Sequence, residues 1–299
     1  MKKYIKYAIL IALAIIIVLV VTLTNRNKTT TEQDNGKFKI VTSFYPMYVI
    51  ALNITDGANN IELTNMADMN TGCIHDYTLL ASDMKKIEKA DVLIQNGLGL
   101  ENFISKILNN QKDLAIIDAS ENISDFIQEE SGINPHIWTS ITNYIKQVGN
   151  ISKGLMEKNQ ENAEIYQRNT ENYIETLTNL RKIYEVELNY LKGKAAVCLN
   201  ESFEYLGKEL ELNLKSIHTS HEESALSAKE LKDVIDWMKE NKATMIIVDR
   251  NDDLKNAQTL AEQTGAKIYK LDSALTGSSS KDAYVSSIKE NMEVLKRAE

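Results

Sequence analysis

One stretch of the sequence, residues 159–191, constrains the fold more than any other. It contains no glycine or proline, and its apolar residues recur three, four or seven positions apart. That period is typical of an α-helix with one buried face. The residues of this apolar stripe are Tyr166, Tyr173, Leu177, Leu180, Tyr184, Leu188 and Leu191. A helix over the whole stretch would be about 50 Å long, which is too long for an ordinary crossover, so we expect it to join two parts of the chain.

Short apolar runs alternate with helical stretches on both sides of this segment. The predicted strands are 37–43, 61–63, 90–95 and 114–117 before it, and 195–199, 214–217, 245–248 and 267–271 after it. Such runs are typical of buried strands in parallel sheets with crossover connections. The sequence therefore predicts an α/β fold of two lobes, each a parallel sheet flanked by helices, joined by one long backbone helix. We expect an N-terminal lobe over 38–158, the linking helix over 159–192 and a C-terminal lobe over 193–299.

The N-terminus has the pattern of a membrane signal. Lys2, Lys3 and Lys6 precede an almost wholly apolar run over 7–23, and no cysteine follows this run to take a lipid. The run is close to the minimum length of a membrane-spanning helix, and basic residues before it place its start on the cytoplasmic side. We expect residues 1–24 to be a signal or anchor and 25–37 a tether, with the remaining chain at the outer face of the membrane. Cleavage of a signal peptide, followed by secretion, is the alternative.

The charge of the chain limits its partners. Acidic residues outnumber basic residues by 42 to 34, which gives a formal net charge of −8. Nucleic-acid phosphates require a basic face, so this balance argues against nucleic acid and suits a protein that attracts cations. The chain has only four histidines, His75, His136, His218 and His221, so the position of each is informative.

Several segments match those of a known family, in the family's order. The segment HDYTLLASDMKKIEKADVLIQNGLGLE (75–101) has the pattern H-D/S-Y followed by N-G-x-x-x-E, and NPHIW (134–138) resembles D-P-H-x-W. TSFYPMYVIALNI (42–54) and LAEQTGAKIYKLDSAL (260–275) are similar to the family's opening and closing segments. The chain thus resembles the metal-binding solute-binding proteins of zinc and manganese ABC importers, the ZnuA/TroA-like family. The resemblance covers nearly all of 38–299.

This resemblance implies a function without catalysis. A monomer outside the cell would capture a divalent transition metal ion as cargo, Zn²⁺ before Mn²⁺, and deliver it to an ABC permease in the membrane. The family binds the ion between its lobes. Carried over by position, the metal ligands are His75, His136 and Asp272. Imidazoles and a carboxylate suit Zn²⁺, and Mn²⁺ tolerates the same donors.

The remaining ligand position departs from the family pattern. Asn200 stands where the family has a histidine or glutamate, and a neutral amide is a poor ligand for zinc. Glu201 could take its place if the chain shifts by one residue, or Asn200 could hold a water on the metal. The other candidates for this ligand are His218, His221 and Cys73.

Two other functions stay open at this point. If the site is weak or lost, the chain is a decayed homologue that acts as a surface adhesin or interaction protein. Two histidines and an aspartate with an open position are also a catalytic zinc pattern. A zinc hydrolase would however need a general base, and Glu201 is the only evident candidate, since no H-E-x-x-H motif occurs.

The cysteines and the last two histidines also have simpler interpretations. Cys198 lies in the apolar run AAVCL, so we expect a buried strand residue. We expect Cys73 and Cys198 to be separate thiols, although an extracellular protein could join them across the cleft as a disulfide. His218 and His221 lie in the polar segment HTSHEES, for which we expect a solvated loop.

Overall fold

The computed structural model describes residues 36–72, 77–108, 111–129, 132–217 and 226–298. The chain divides into the units Met1–Lys37 and Phe38–Glu299, and the fold below is that of the second unit. The predicted anchor over 1–24 and all but two residues of the predicted tether lie outside the described residues. No helix within the described ranges is long and apolar enough to cross a membrane.

Two four-stranded parallel sheets organise the described residues. The first contains β1 (Phe38–Thr42), β2 (Ile61–Asn65), β3 (Val92–Gln95) and β4 (Ala115–Asp118). A short antiparallel pair follows, β5 (Gln128–Glu129) and β6 (Gly132–Ile133). The second sheet contains β7 (Ala195–Cys198), β8 (Asn213–Ser216), β9 (Met245–Asp249) and β10 (Lys267–Leu271). All pairings within the two large sheets are parallel, which confirms the predicted α/β class.

The two sheets also share one strand order. The first runs β2-β1-β3-β4 and the second β8-β7-β9-β10. In each sheet the chain thus reverses its direction of winding between two neighbouring strands. These are β1 and β3 in the first sheet, and β7 and β9 in the second. Ligands of open α/β sheets bind outside the carboxyl ends of the strands at such a switch point.

Helices cover both faces of each sheet. They are α1 (Tyr45–Ile54), α2 (Ala81–Glu88), α3 (Ser105–Leu108), α4 (Ile141–Lys158), α5 (Ala163–Glu187), α6 (Glu204–Glu209), α7 (Ala228–Asn241), α8 (Lys255–Thr264) and α9 (Ala283–Leu295). The largest buried cluster extends through both lobes and includes α1, α4, α5 and α9. Smaller clusters lie on the opposite face of the second sheet, under α7 and α8, and of the first sheet, under α2.

The linking segment is helical, with a shorter continuous helix than the sequence suggested. The α-helix is about 38 Å long, and single 3₁₀ turns flank it at Gln160–Asn162 and Asn189–Leu191. Every residue of the predicted apolar stripe is buried. At the N-terminal break, the Asn159 side chain accepts the Asn162 N–H (3.2 Å) and caps the turn Gln160–Asn162. Side-chain hydrogen bonds of this kind compete with continuous helix.

Candidate metal centre

His136 is completely buried in the turn that precedes α4. Both residues before it are held by hydrogen bonds. Tyr205 Oη, from the second lobe, donates to Asn134 O (2.8 Å), and Asn96 Nδ2, from the first lobe, donates to Pro135 O (2.9 Å). Elements of both lobes therefore fix the position of the imidazole.

The Asn134 side chain determines which nitrogen of His136 carries a proton. Its Nδ2 donates to Glu201 O and to Glu204 Oε2, both at 3.1 Å, so the amide orientation is settled by two acceptors. Its Oδ1 then accepts the His136 backbone N–H (2.9 Å) and lies 2.9 Å from Nδ1 of the ring. Since Oδ1 can only accept, Nδ1 is the donor, and in the neutral imidazole Nε2 carries the lone pair. Metal-binding histidines are oriented in this way.

Glu201 approaches Nε2 of His136 from the second lobe. Its Oε1 lies 3.9 Å from Nε2, and its side chain is 32% exposed. Zinc ligands lie about 2.0–2.2 Å from the ion, so one cation between these two atoms would reach both with small side-chain movements. The chain brings Glu201 here because β7 ends at Cys198 and the turn Glu201–Phe203 begins three residues later.

Asn200, at the position where the family resemblance implies a ligand, has other partners. Its Oδ1 accepts the Ser202 N–H (3.0 Å) and caps the turn after β7. Its Nδ2 donates to Asp252 Oδ2 (2.9 Å). Both ends of the amide are thus engaged within the second lobe, an arrangement that favours Glu201 over Asn200 as the donor that faces His136.

Asp272 follows β10, and its side chain is only 7% exposed. Its Oδ1 accepts the Ala274 N–H (2.9 Å), and its Oδ2 lies 3.1 Å from Arg250 Nη2. Asn291 fixes the Asp272 backbone, with its Oδ1 2.7 Å from the Asp272 nitrogen and its Nδ2 2.8 Å from the carbonyl oxygen. The carboxylate is therefore buried beside a cationic side chain.

The two loops that carry His136 and Asp272 contact each other directly. Trp138 Nε1 donates to Ser273 O (2.9 Å), and Tyr284 Oη donates to Trp138 O (2.9 Å). The indole of Trp138 also packs against the imidazole of His136, with 5.1 Å between the ring centroids. The loops that carry these two predicted site residues are thus in contact, but His136, Glu201 and Asp272 do not come close enough together to hold one ion.

The remaining predicted site residues lie outside the described part of the chain. They are His75, Cys73, His218 and His221. Within the described residues, no group of three histidine, cysteine, aspartate or glutamate side chains is close enough to hold a metal ion.

Cys198 is a buried free thiol, as expected for a strand residue. Burial raises the pKa of this thiol to about 12, and its Sγ lies 2.8 Å from Asn200 O, to which it donates. A thiol in this state does not supply a thiolate ligand at neutral pH.

Two residues that shape this centre were not predicted from the sequence. Asn134 occupies the aspartate position of the D-P-H-x-W pattern, and this departure was the visible signal for its role. Arg250 had no such signal, because its proximity to Asp272 depends on the pairing of β9 with β10, in which the Arg250 N–H donates to Leu271 O (2.8 Å).

Comparison with curated proteins finds relatives along nearly the whole chain. The chain is 28% identical over 286 residues to the zinc-binding lipoprotein AdcA of Streptococcus pneumoniae (strain ATCC BAA-255 / R6), covering 89% of this chain and 56% of AdcA. It is 27% identical over 274 residues to the manganese-binding lipoprotein MntA of Halalkalibacterium halodurans, covering 89% of each. The chain thus spans only about half the length of the AdcA proteins it matches.

Solved structures share the fold. The SBP FpvC of Pseudomonas aeruginosa, in complex with Mn²⁺, aligns with a TM-score of 0.77 at 24% identity, covering 88% of this chain and 98% of FpvC. The family model described as "ZnuA: Zinc-uptake complex component A periplasmic" matches residues 40–298. The chain therefore belongs to the ZnuA family of zinc-uptake components.

Proposed function

We propose that this protein is the extracellular metal-binding component of an ABC importer for a divalent transition metal ion. The observation that carries the proposal is the pair formed by His136 and Glu201. An imidazole whose Nδ1 proton is directed to Asn134, and a carboxylate from the opposite lobe, face each other across 3.9 Å. Membership of an uptake family supports transport rather than catalysis.

The proposed ligand set is His75, His136, Glu201 and Asp272, with Glu201 in place of Asn200. Two imidazoles and two carboxylates suit Zn²⁺, and Mn²⁺ accepts the same donors. The donors alone do not rank the two ions. The relatives include proteins named zinc-binding and manganese-binding, with zinc in the names of AdcA and of ZnuA from Bacillus subtilis. We therefore propose zinc as the first cargo and manganese as the second.

Titration calorimetry with ZnCl₂ and MnCl₂ tests this proposal on the full chain in detergent, at about pH 7.5. One ion should bind per chain, His136→Ala should abolish binding, and Glu201→Gln should weaken it at least roughly tenfold, which is about 1.4 kcal/mol. Glu175→Gln, an exposed substitution on α5 with the same change of charge, is the matched control and should bind as the wild type does. Absence of binding for both ions would contradict the proposal and leave the adhesin or interaction-protein alternative.

We also propose that the protein acts as a monomer at the outer face of the membrane and delivers its ion to an ABC permease. The basic start and apolar run over 7–23 support an anchor formed by the chain itself. The relatives AdcA and MntA are named lipoproteins, whereas no cysteine lies directly after the apolar run here. Fractionation should find the full-length chain in membranes, and a secreted species that begins near Asn25 would contradict the anchor.

A further inference from the structure

The carboxylate of Asp272 has a cationic partner within the protein itself. Arg250 Nη2 lies 3.1 Å from Asp272 Oδ2. A buried carboxylate without a neutralising partner is strongly disfavoured. The guanidinium therefore supplies, in this arrangement, the positive charge that a metal ion would supply at the same oxygen.

The backbone of this pair is held in place on both sides. The Arg250 N–H donates to Leu271 O (2.8 Å), and Asn291 exchanges two hydrogen bonds with the backbone of Asp272. Asp249, next to Arg250, accepts the Ser273 N–H (3.1 Å) through its Oδ2. Any separation of the two charges must therefore come from side-chain rotation rather than movement of the loops.

The guanidinium contacts a second carboxylate at the same time. Arg250 Nη1 lies 3.3 Å from Glu290 Oε2 on α9, whose side chain is 66% exposed. Arg250, Asp272 and Glu290 line a cavity of about 240 Å³ between α1 and α9. The Arg250 side chain is itself 40% exposed. The Arg250 side chain thus has space to move away from Asp272, and the Glu290 carboxylate would then hold it at the wall of the cavity.

We propose that Arg250 is a resident competitor of the metal at Asp272, which releases this carboxylate when the ion binds and reoccupies it when the ion leaves. The inference rests on the proposed function, in which Asp272 is a metal ligand. A guanidinium and a divalent cation at one carboxylate oxygen repel each other, so coordination through Asp272 Oδ2, the oxygen that Arg250 contacts, requires the Arg250 side chain to move. Arg250 then sets the affinity for the ion and stabilises the empty protein.

The competition predicts opposite effects for substitutions at Arg250 and at Glu290. Arg250→Gln removes the competitor, so the metal should bind about fivefold or more tightly, while the metal-free protein should melt at a lower temperature. Glu290→Gln removes the carboxylate that would hold the guanidinium after it leaves Asp272, so the metal should bind more weakly. Arg168→Gln, an exposed position on α5 with the same change of charge, controls for long-range electrostatics and should change neither quantity.

The Asp272→Asn background tests whether the effect passes through the carboxylate. In a double-mutant cycle, Arg250→Gln should no longer change the zinc affinity once Asp272 is asparagine. The experiment is zinc calorimetry together with melting curves of the metal-free full chain. A wild type that binds no metal would contradict the proposed function. If the wild type binds zinc, two results would overturn the competition and leave the proposed function standing. In the first, Arg250→Gln does not increase the zinc affinity. In the second, Arg250→Gln increases the zinc affinity equally in the Asp272→Asn background.

Discussion

Replacing Glu101 with glutamine should flatten the pH dependence of stability. The carboxylate is buried, and its Oε1 accepts from Ser43 Oγ (2.8 Å) and from the Asn96 N–H (2.7 Å), while Oε2 accepts from the Gly97 N–H (3.1 Å). Asn96 also donates to Pro135 O, at the turn before α4. Burial raises the pKa of Glu101 from 4.5 to about 7, against the effect of these three donors.

The sign of this pH dependence follows from comparing the folded protein with the unfolded chain. The folded protein binds this proton more tightly than the unfolded chain, so the free energy of unfolding falls as the pH rises. The contribution is fully present below about pH 4.5 and is lost as the pH passes through about 7. A pKa difference of about 2.5, at about 1.36 kcal/mol for each unit, corresponds to about 3 kcal/mol. Glutamine does not ionise in this pH range, so the variant lacks this contribution to the pH dependence.

Urea denaturation of both proteins between pH 4.5 and 8 measures this effect. Relative to the wild type, the unfolding free energy of Glu101→Gln should increase by about 3 kcal/mol between pH 4.5 and about 7.5. Glu62→Gln, an exposed substitution on β2 in the first sheet, is the control and should follow the wild type. Parallel curves for the wild type and Glu101→Gln would refute the reasoning, because they would mean that this buried carboxyl titrates in the folded protein as it does in the unfolded chain.

Three further predictions concern the metal centre. Zinc at a hundredfold excess over its Kd should stabilise the protein by about 2.7 kcal/mol; melting curves should show this gain at about pH 7.5 and lose it below about pH 6, where protons compete for imidazole. Asn134→Ala should weaken zinc binding by about 10- to 100-fold, because the His136 ring loses the acceptor that orients it. Asn134→Asp should retain binding, and equal zinc affinities of the alanine and aspartate variants would contradict this role of Asn134. Asn200→His should raise the zinc affinity less than tenfold by calorimetry, since Asn200 already caps the turn and bonds to Asp252; a larger gain would mean that Glu201 is not the donor at this position.

The elements with strong local periodicity were predictable from the sequence. The predicted strand 267–271 matches β10, the predicted strand 245–248 lies within β9, and the stripe of the linking helix is buried in full. These patterns are readable because the alternation of apolar and polar residues follows directly from which face of an element is buried.

Helix α4 shows why other elements were not identified. Gly149 and Gly154 interrupt its sequence, and glycine lowers helix propensity. Gly154 is required by packing, because a Cβ at this position would lie 2.7 Å from Cγ1 of Ile117 on β4. That requirement arises only when the helix lies against the sheet, so no local pattern contains it.

The candidate site likewise has features that local sequence predicts and features that depend on the tertiary structure. The short motifs predicted His136 and Asp272 as ligands, which stays a prediction, and they showed that Asn200 departs from the family pattern. The choice between Asn200 and Glu201 depends on the turn after β7, where capping by Asn200 leaves the carboxylate of Glu201 3.9 Å from His136. The sequence by itself determined the helices, strands and motifs whose signals are local. Only the tertiary structure decided the partners of these side chains, because hydrogen bonds and ion pairs between residues far apart in the chain depend on strand order and lobe packing.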